Sequence, residues 1–228
     1  MKKDTAPASL TAPPAAAPAT SSPASPILAV DLAGPDPGIV QRAADLLAAG
    51  GVIAFPTDTL YALGAVLGNA AAAERIKKMR RIDSSKRPFT LLLPDVGTLP
   101  HYAVVSESGY RIINRIFPGP YCVELSAGPK IAGAPGFSER DTLGLRIPAS
   151  ALCTKLLWRL GRPIVSVTAK GADGVTLNTA EQIKAAYGEL DLILDGGPQV
   201  GLPSTVISLV DDWVTVLRAG RGSTANII

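Results

Sequence analysis

Small polar residues follow an apolar segment early in the sequence, at a place where side chains could contact a ligand. Phe55 and Pro56 end the apolar segment, and Thr57, Asp58 and Thr59 come next. Polar groups at the ends of buried strands are common ligand contacts in α/β proteins. The same residue types also form turns in which Asp and Thr side chains bind their own backbone. Thr57 and Thr59 are therefore candidate ligand residues, with a purely structural turn as the alternative.

Basic residues are concentrated between positions 77 and 87. Six lysines and arginines fall within these eleven positions, immediately before an apolar segment at 89–93. Such a concentration suits a site that neutralises several negative charges, such as a triphosphate. Lys78, Arg80 and Arg87 are the candidates for phosphate contacts. The alternative is a solvated, basic helix end that interacts favourably with the helix dipole.

An arginine interrupts a third apolar segment, Gly144-Leu145-Arg146-Ile147. A guanidinium group in a buried strand is costly unless an anion accepts it. We expect Arg146 to bind a ligand and not to be the partner of a core carboxylate. A structural pair with an Asp or Glu is the alternative.

Two more clusters have the same form, with polar residues where an apolar segment ends. Thr168 and Lys170 follow the segment at 164–167, and Ser204 and Thr205 precede another, with Arg218 near its far end. Ordinary turns explain either cluster taken alone. The order of all five clusters along the chain is more specific than any one of them.

Several common site types are excluded by the sequence. It contains no GxxxxGK[ST], GxGxxG, HExxH or GxSxG motif. The two cysteines, Cys122 and Cys153, have no CxxC spacing, and His101 is the single histidine, so no His/Cys metal cluster can form. The net charge of +3 neither requires nor excludes nucleic acid.

Apolar periodicity predicts an α/β fold in which strands and helices alternate. The predicted strands span 27–31, 52–55, 60–67, 89–93, 121–125, 143–147, 164–168, 190–194, 205–210 and 214–218. The predicted helices span 35–49, 70–81, 107–116, 149–160 and 179–187. Most strands are apolar throughout, which indicates a sheet covered on both faces. The last two strands predict an antiparallel hairpin, so we expect a mixed sheet.

The first 26 residues differ in composition from the rest of the chain. They are rich in Ala, Pro, Ser and Thr, and their prolines exclude a regular helix. We predict a disordered tail at 1–26 and a single folded domain at 27–228. No apolar run reaches the roughly 18–20 residues of a membrane-spanning helix, and we expect a cytoplasmic protein.

Taken together, these clusters resemble the YrdC/YciO-like threonylcarbamoyl-adenylate synthases from about residue 27 to 222. The resemblance is carried by Pro56-Thr57-Asp58-Thr59-Leu60-Tyr61, the KxR element Lys78-Met79-Arg80, Leu145-Arg146-Ile147-Pro148, Thr168-Ala169-Lys170, Ser204-Thr205-Val206 and Leu217-Arg218-Ala219-Gly220. The stretch that begins Arg87-Pro88-Phe89-Thr90 looks like the YciO branch. The chain departs from the synthase pattern at four positions, which are Ala62 for glycine, Arg87 for asparagine, Leu92 for histidine and Lys170 for asparagine.

The resemblance implies one YrdC-like domain, a twisted mixed sheet with flanking helices and a large basic cavity. It implies an enzyme that forms threonylcarbamoyl-AMP from L-threonine, bicarbonate and ATP, with Mg²⁺ carried on the ATP and no resident metal. The product serves threonylcarbamoyladenosine modification of tRNA. The implied phosphate contacts are Lys78, Arg80, Arg87 and Lys170, of which Lys78 and Arg80 are the implied catalytic residues. The implied contacts to the amino acid and nucleotide are Arg146, Arg218 and the hydroxyls of Thr57, Thr59, Thr168, Ser204 and Thr205.

The sequence is also compatible with two other functions. One is an enzyme that handles another carbamoyl-adenylate, as related domains of hydrogenase-maturation proteins do. The other is a non-catalytic protein that binds tRNA or double-stranded RNA by shape and phosphate contacts. The small charge surplus and the lack of a paired aromatic platform argue against the RNA binder.

Overall fold

The computed structural model describes residues 25–82, 89–131, 134, 142–210 and 213–227. Its helices are α1 (Pro37–Ala48), α2 (Ala70–Met79), α3 (Glu107–Ile116), α4 (Ala151–Leu160) and α5 (Ala180–Ala186). Its strands are β1 (Ile27–Ala29), β2 (Ile53–Pro56), β3 (Tyr61–Val66), β4 (Thr90–Leu92), β5 (Ala103–Val104), β6 (Tyr121–Ala127), β7 (Thr142–Arg146), β8 (Ile164–Thr168), β9 (Leu192–Asp195), β10 (Thr205–Ser208) and β11 (Thr215–Arg218). Short 3₁₀ helices cover Val96–His101 and Thr224–Asn226.

The strands form one mixed sheet in the order β1-β9-β2-β3-β8-β4-β7-β6-β10-β11, with β5 paired to β6. Four neighbouring pairs are parallel, namely β1–β9, β9–β2, β4–β7 and β6–β10, and the other pairs are antiparallel. The predicted mixed sheet and the predicted antiparallel hairpin, β10–β11, are therefore confirmed.

Side-chain caps fix the starts of the five helices. Each is preceded by Asp, Asn, Ser or Thr whose side-chain oxygen accepts a backbone N–H of the first turn, at Asp36, Asn69, Ser106, Ser150 and Thr179. Helix α1 is followed by Gly50 with φ of 90°, a conformation that glycine adopts without strain. These local signals explain why the predicted helices agree with the observed ones within about two residues.

One face of the sheet is covered by α2, α3 and α5. Their buried residues join the inward side chains of the strands in one apolar cluster, which includes Ile76, Ile113 and Ile183. This cluster extends over both the β2–β3 region and the β6–β7 region of the sheet, and its members Leu63 and Val123 are fully buried. This face is a continuous core.

The opposite face is covered over only part of its width. Helices α1 and α4 pack against each other and onto Ile53, Phe55, Leu92 and Ile164 in a second apolar cluster. No described helix contributes to this cluster in front of β6, β7 and β10. We call the part under α1 and α4 the covered half of this face, and the part at β4, β6, β7, β8, β10 and β11 that lies beyond them the open half.

The boundary between the predicted tail and the domain needs a correction. Ser25 is buried, and its hydroxyl donates to the carbonyl of Tyr187 at 3.5 Å. The carbonyl of Pro26 accepts from Ile193 N–H at 2.8 Å, so the pairing of β1 with β9 extends to this residue. Ser25 and Pro26 therefore belong to the domain. The prediction for residues 1–24 lies outside the described residues.

Candidate functional site

The open half carries a cavity of about 270 Å³. This is close to the lower end of ligand pockets, which run from about 300 to 1,000 Å³. Its wall is formed by residues from both the strands and the β2–β3 turn, namely Thr59, Leu60, Tyr61, Ala62, Phe89, Thr90, Cys122, Glu124, Gly144, Arg146, Ser166, Val167, Thr168, Ser204, Val206, Leu217 and Arg218. The cavity is thus built mainly on the sheet itself.

Strand alternation places polar side chains in this cavity. In β6, Cys122 and Glu124 line it, whereas Val123 and Leu125 belong to the continuous core on the other face. In β8, Ser166 lines the cavity, and Val165 belongs to the continuous core. Because successive side chains point to opposite faces, each strand can supply the core and the cavity at once.

A glycine keeps the middle of the cavity open. Gly144 of β7 lies between Thr90 of β4 and Glu124 of β6 in the sheet register. A Cβ atom at this position would lie 3.1 Å from Cys122 Sγ and 3.7 Å from Thr90 Oγ1. The missing side chain therefore leaves room in front of the sheet between two polar residues.

Arg146 forms an ion pair, which corrects the expectation that it has no carboxylate partner. Its Nη2 donates to Asp58 Oδ1 at 2.7 Å and to Thr59 Oγ1 at 3.2 Å. The second carboxylate oxygen of Asp58 accepts from Ala149 N–H at 3.1 Å, just before α4. Arg146 nevertheless lines the cavity, and its buried Nε has no hydrogen-bond partner among the described residues. The guanidinium is therefore paired with Asp58, while its Nε–H group remains available to a ligand.

The β2–β3 turn uses its two threonines differently. Thr57 Oγ1 donates to the carbonyl of Leu60 at 2.8 Å and accepts from Thr59 N–H at 3.1 Å. Thr57 thus shapes the turn, as the structural alternative predicted, and only Thr59 is on the cavity wall. The hydroxyls of the two threonines are 3.1 Å apart. Thr57 instead lines a second cavity of about 390 Å³, together with Asp58 and Arg221, so its predicted contact with a ligand stays a prediction.

In the cluster of Ser204, Thr205 and Arg218, two residues line the cavity and one stabilises the neighbouring backbone. Ser204 and Arg218 line the cavity, and Arg218 Nη2 donates to the carbonyl of Ser204 at 2.8 Å. Thr205 is fully buried, where its hydroxyl donates to the carbonyl of Gly222 at 2.6 Å and accepts from Gly220 N–H at 3.0 Å. Thr205 therefore holds the chain after β11 and is not on the wall.

The basic residues of the KxR element do not reach the wall of this cavity. Arg80 donates from Nε to the carbonyl of Thr168 at 3.0 Å and from Nη1 to the carbonyl of Lys170 at 3.3 Å. It therefore fixes the end of β8, where Thr168 lines the cavity. Lys78 is exposed on α2, and Lys170 is half-buried beyond β8. Arg87 lies outside the described residues, so its predicted role stays a prediction.

Burial keeps the thiol beside the cavity neutral. Desolvation raises the pKa of Cys122 above its ordinary value, against the opposing effects of Arg146 and Arg218. Burial also raises the pKa of Tyr61, whose hydroxyl donates to the carbonyl of Gly197 at 2.9 Å. The cavity therefore offers hydrogen bonds and charges and lacks an activated thiolate. This composition suits binding and positioning more than nucleophilic catalysis.

Of the seventeen residues on the cavity wall, twelve were not among the predicted site residues, and one of these twelve, Glu124, had a usable signal. Thr90, Cys122, Gly144 and Ser166 are small, and nothing in their sequence context distinguishes them from core or turn residues. Glu124 interrupts the apolar strand Tyr121-Cys122-Val123-Glu124-Leu125 in the way Arg146 interrupts its own. A charged side chain in a buried strand is costly without a partner, so Glu124 could have been predicted on the same grounds as Arg146.

Neither a metal cluster nor a membrane span is present in the described part of the chain. No group of three or more His, Cys, Asp and Glu side chains there could hold a metal ion. Mg²⁺ bound to nucleotide phosphates keeps several waters and needs few protein ligands, and the hydroxyl oxygens of the cavity suit such a hydrated ion. Within the same residues, no helix has the length and apolar composition needed to cross a bilayer.

The fold and the cavity define an α/β protein with a polar cavity on one sheet face. The family model described as telomere recombination, Sua5/YciO/YrdC, matches residues 45–220. The chain belongs to this family.

Three relatives are informative. The chain is 32% identical to the uncharacterized protein YciO of Escherichia coli over 191 residues, which are 82% of this chain and 92% of YciO. The crystal structure of E. coli YciO superposes with a TM-score of 0.81, at 30% identity, and covers 90% of this chain and 100% of YciO. A threonylcarbamoyl-AMP synthase of Bacillus subtilis is 31% identical over 188 residues, 81% of this chain and 54% of the synthase. Sua5 of Pyrococcus abyssi in complex with L-threonine gives a TM-score of 0.74 at 27% identity, covering 85% and 57% of the two chains.

Proposed function

We propose that this protein is a nucleotidyltransferase that forms threonylcarbamoyl-AMP from L-threonine, bicarbonate and ATP. The observation that carries the proposal is the cavity on the open half, where two guanidinium groups and several hydroxyls converge in front of a glycine. Support also comes from family relatives that are named threonylcarbamoyl-AMP synthases and from a Sua5 structure that contains L-threonine.

The proposed reaction needs positioning more than acid–base catalysis. The amino group of threonine takes up bicarbonate to form a carbamate, with loss of water. A carbamate oxygen then forms a bond to the α-phosphorus of ATP, and the bond from that phosphorus to pyrophosphate breaks. Once the carbamate has formed, it is already an anionic nucleophile, so no strong base is required. The protein contributes orientation and neutralisation of charge.

The cavity residues have distinct roles in this proposal. Arg218 and Arg146 neutralise the α-phosphate and the amino-acid carboxylate, because both present guanidinium groups to one space. Thr59, Thr168 and Ser204 supply hydroxyls that fix the two substrates. Arg80 acts indirectly, by holding the end of β8. Mg²⁺ bound to ATP would supply further neutralisation of the phosphate charges. The product is proposed to serve modification of tRNA.

The proposal is tested by following both products of the reaction. The full chain is incubated with ATP, Mg²⁺, bicarbonate and L-threonine, and pyrophosphate and the adenylate are measured by chromatography. We expect both products in equal amounts, dependent on bicarbonate and threonine, and greatly reduced formation in Arg218→Met. The exposed Arg111→Met on α3 serves as a matched control that should keep full activity. Release of pyrophosphate without threonine, or no adenylate when threonine is present, would overturn the proposal.

A further inference from the structure

A carboxylate interrupts the apolar strand β6 and is exposed to the cavity. Glu124 is half-buried, and the residues beside it in the strand, Val123 and Leu125, belong to the continuous core. A carboxylate in such a position is costly unless it is hydrogen-bonded or paired with a cation. The charge is therefore a feature that requires a partner.

The protein itself satisfies this carboxylate only in part. Oε1 of Glu124 accepts a hydrogen bond from the Thr142 hydroxyl at 3.0 Å. Among the residues that the structure describes, no lysine or arginine nitrogen lies within 4.0 Å of it. Directly across the sheet is Gly144, which has no side chain to contact it. Acceptor capacity therefore remains on the side of the cavity.

The cavity holds charges of both signs within reach of one another. Glu124 and Arg146 are on neighbouring strands, and Arg218 is on β11 at the edge of the sheet. The buried thiol of Cys122 lies within electrostatic range of all three, since its pKa is raised by burial, lowered by Arg146 and Arg218, and raised by Glu124. One carboxylate and two guanidinium groups around a small space match a zwitterion, whose ammonium and carboxylate groups are only a few bonds apart.

We infer that Glu124 binds the ammonium group of an α-amino acid in this cavity, with its carboxylate directed to the arginines. The inference deepens the proposed function and rests on it for the identity of the substrate class. Glu124 then determines specificity, because it favours amino acids over acids that lack the amino group. A buried site built for a charged group rejects the analogue without it, since its own charge is left unpaired.

The test is the variant Glu124→Gln, which removes the charge and keeps an acceptor for Thr142. Binding of L-threonine and other L-amino acids to the full chain is measured by calorimetry, and the tightest binder is compared with its 2-hydroxy acid counterpart. We expect the amino acid to bind about tenfold more weakly to the variant, near 1.4 kcal/mol. The 2-hydroxy acid should bind equally well or more tightly, and ATP affinity should change less than twofold. Glu107→Gln, which removes an exposed carboxylate on α3, is the matched control.

A structural role for Glu124 predicts a different pattern. If the carboxylate only supports Thr142, then Glu124→Gln, which keeps that acceptor, leaves amino-acid affinity unchanged. Thr142→Val then weakens the amino acid and the hydroxy acid alike, and this pattern overturns the inference. Absence of amino-acid binding to the unchanged protein also overturns it. If amino acids bind in a Glu124-dependent way but no adenylate forms, the inference stands and the proposed function fails.

Discussion

On one face of the sheet, the covered half lies under α1 and α4, whereas the open half carries the cavity. Strands β4 and β8 contribute residues to both halves. Strand β4 places Leu92 in the apolar cluster under α1 and α4, and Thr90, two residues earlier, on the cavity wall. Strand β8 does the same with Ile164 and Ser166. The change from core to cavity therefore takes two residues. Polar groups are tolerated at Thr90 and Ser166 because no helix of the described residues covers them.

Asp58 links the two halves of this face, so we expect its substitution to have the largest effect on stability. Asp58 contacts Ala149 just before α4, on the covered side, and Arg146 on the open side. Asp58→Ala leaves a nearly buried guanidinium without its partner, so we expect the free energy of unfolding to fall by about 3–5 kcal/mol. Denaturant unfolding measures this loss.

A double-mutant cycle separates the ion pair from other effects. The double variant Asp58→Ala/Arg146→Met removes both charges and should lose much less stability than the sum of the single variants. Arg146→Met should also weaken ligand binding at least about tenfold, near 1.4 kcal/mol. Additive losses, within about 0.5 kcal/mol, would mean that the two residues are not coupled.

The paired variants Leu92→Ala and Thr90→Ala test the division within β4. Leu92 is 1% exposed, and its truncation leaves a void under the helices, so we expect a loss of about 2–5 kcal/mol in stability with substrate affinity nearly unchanged. Thr90→Ala should cost less than about 1 kcal/mol and should alter substrate affinity. Unfolding curves and calorimetry on both variants give the comparison. Equal losses of stability in the two variants would contradict the assignment of Leu92 to the core and of Thr90 to the cavity.

The buried cysteine of the covered half, Cys153, predicts a pH dependence of stability. Burial raises the pKa of the Cys153 thiol, in the first turn of α4, from 9.0 to about 12. Its contribution to stability is complete below pH 9 and is lost as the pH rises toward 12, by about 1.4 kcal/mol per unit, because the unfolded chain ionises first. Cys153→Ala should remove this part of the alkaline loss of stability. Unfolding at a series of pH values between 8 and 10.5 measures it, and an unchanged slope would contradict the burial argument.

Lys170 should give the smallest effect. Its backbone is fixed by Arg80 and Tyr187, whereas its side chain lies beyond the cavity wall at the end of β8. If the phosphates of ATP extend past this wall, Lys170→Asn should weaken ATP binding a few-fold at low salt and less at high salt, because screening reduces the lost attraction. Lys184→Asn on α5 is the control. Equal affinity at both salt concentrations would place Lys170 outside the phosphate site.

The sequence predicted the fold more completely than the site. Helix caps and apolar periodicity are local signals, so helices and most strands were found, whereas the short strand β5 and the 3₁₀ helix at Val96–His101 have weak patterns and were missed. Thr59, Thr168, Ser204 and Arg218 are on the cavity wall as expected. The side chains of Thr57, Thr205 and Arg80 hydrogen-bond to backbone carbonyls next to the cavity, a distinction that depends on which way each side chain points in the fold. The pairing of Arg146 with Asp58 joins positions 88 residues apart and has no local signal.

The most direct test of the account is a crystal structure of the full chain with L-threonine, Mg²⁺ and an ATP analogue whose α,β-bridge cannot be cleaved. We predict both ligands on the open half, with the α-phosphate or the threonine carboxylate in contact with Arg146 or Arg218. The threonine nitrogen should lie within hydrogen-bond distance of Glu124. Ligands bound elsewhere, with the cavity in front of Gly144 empty, would contradict the account.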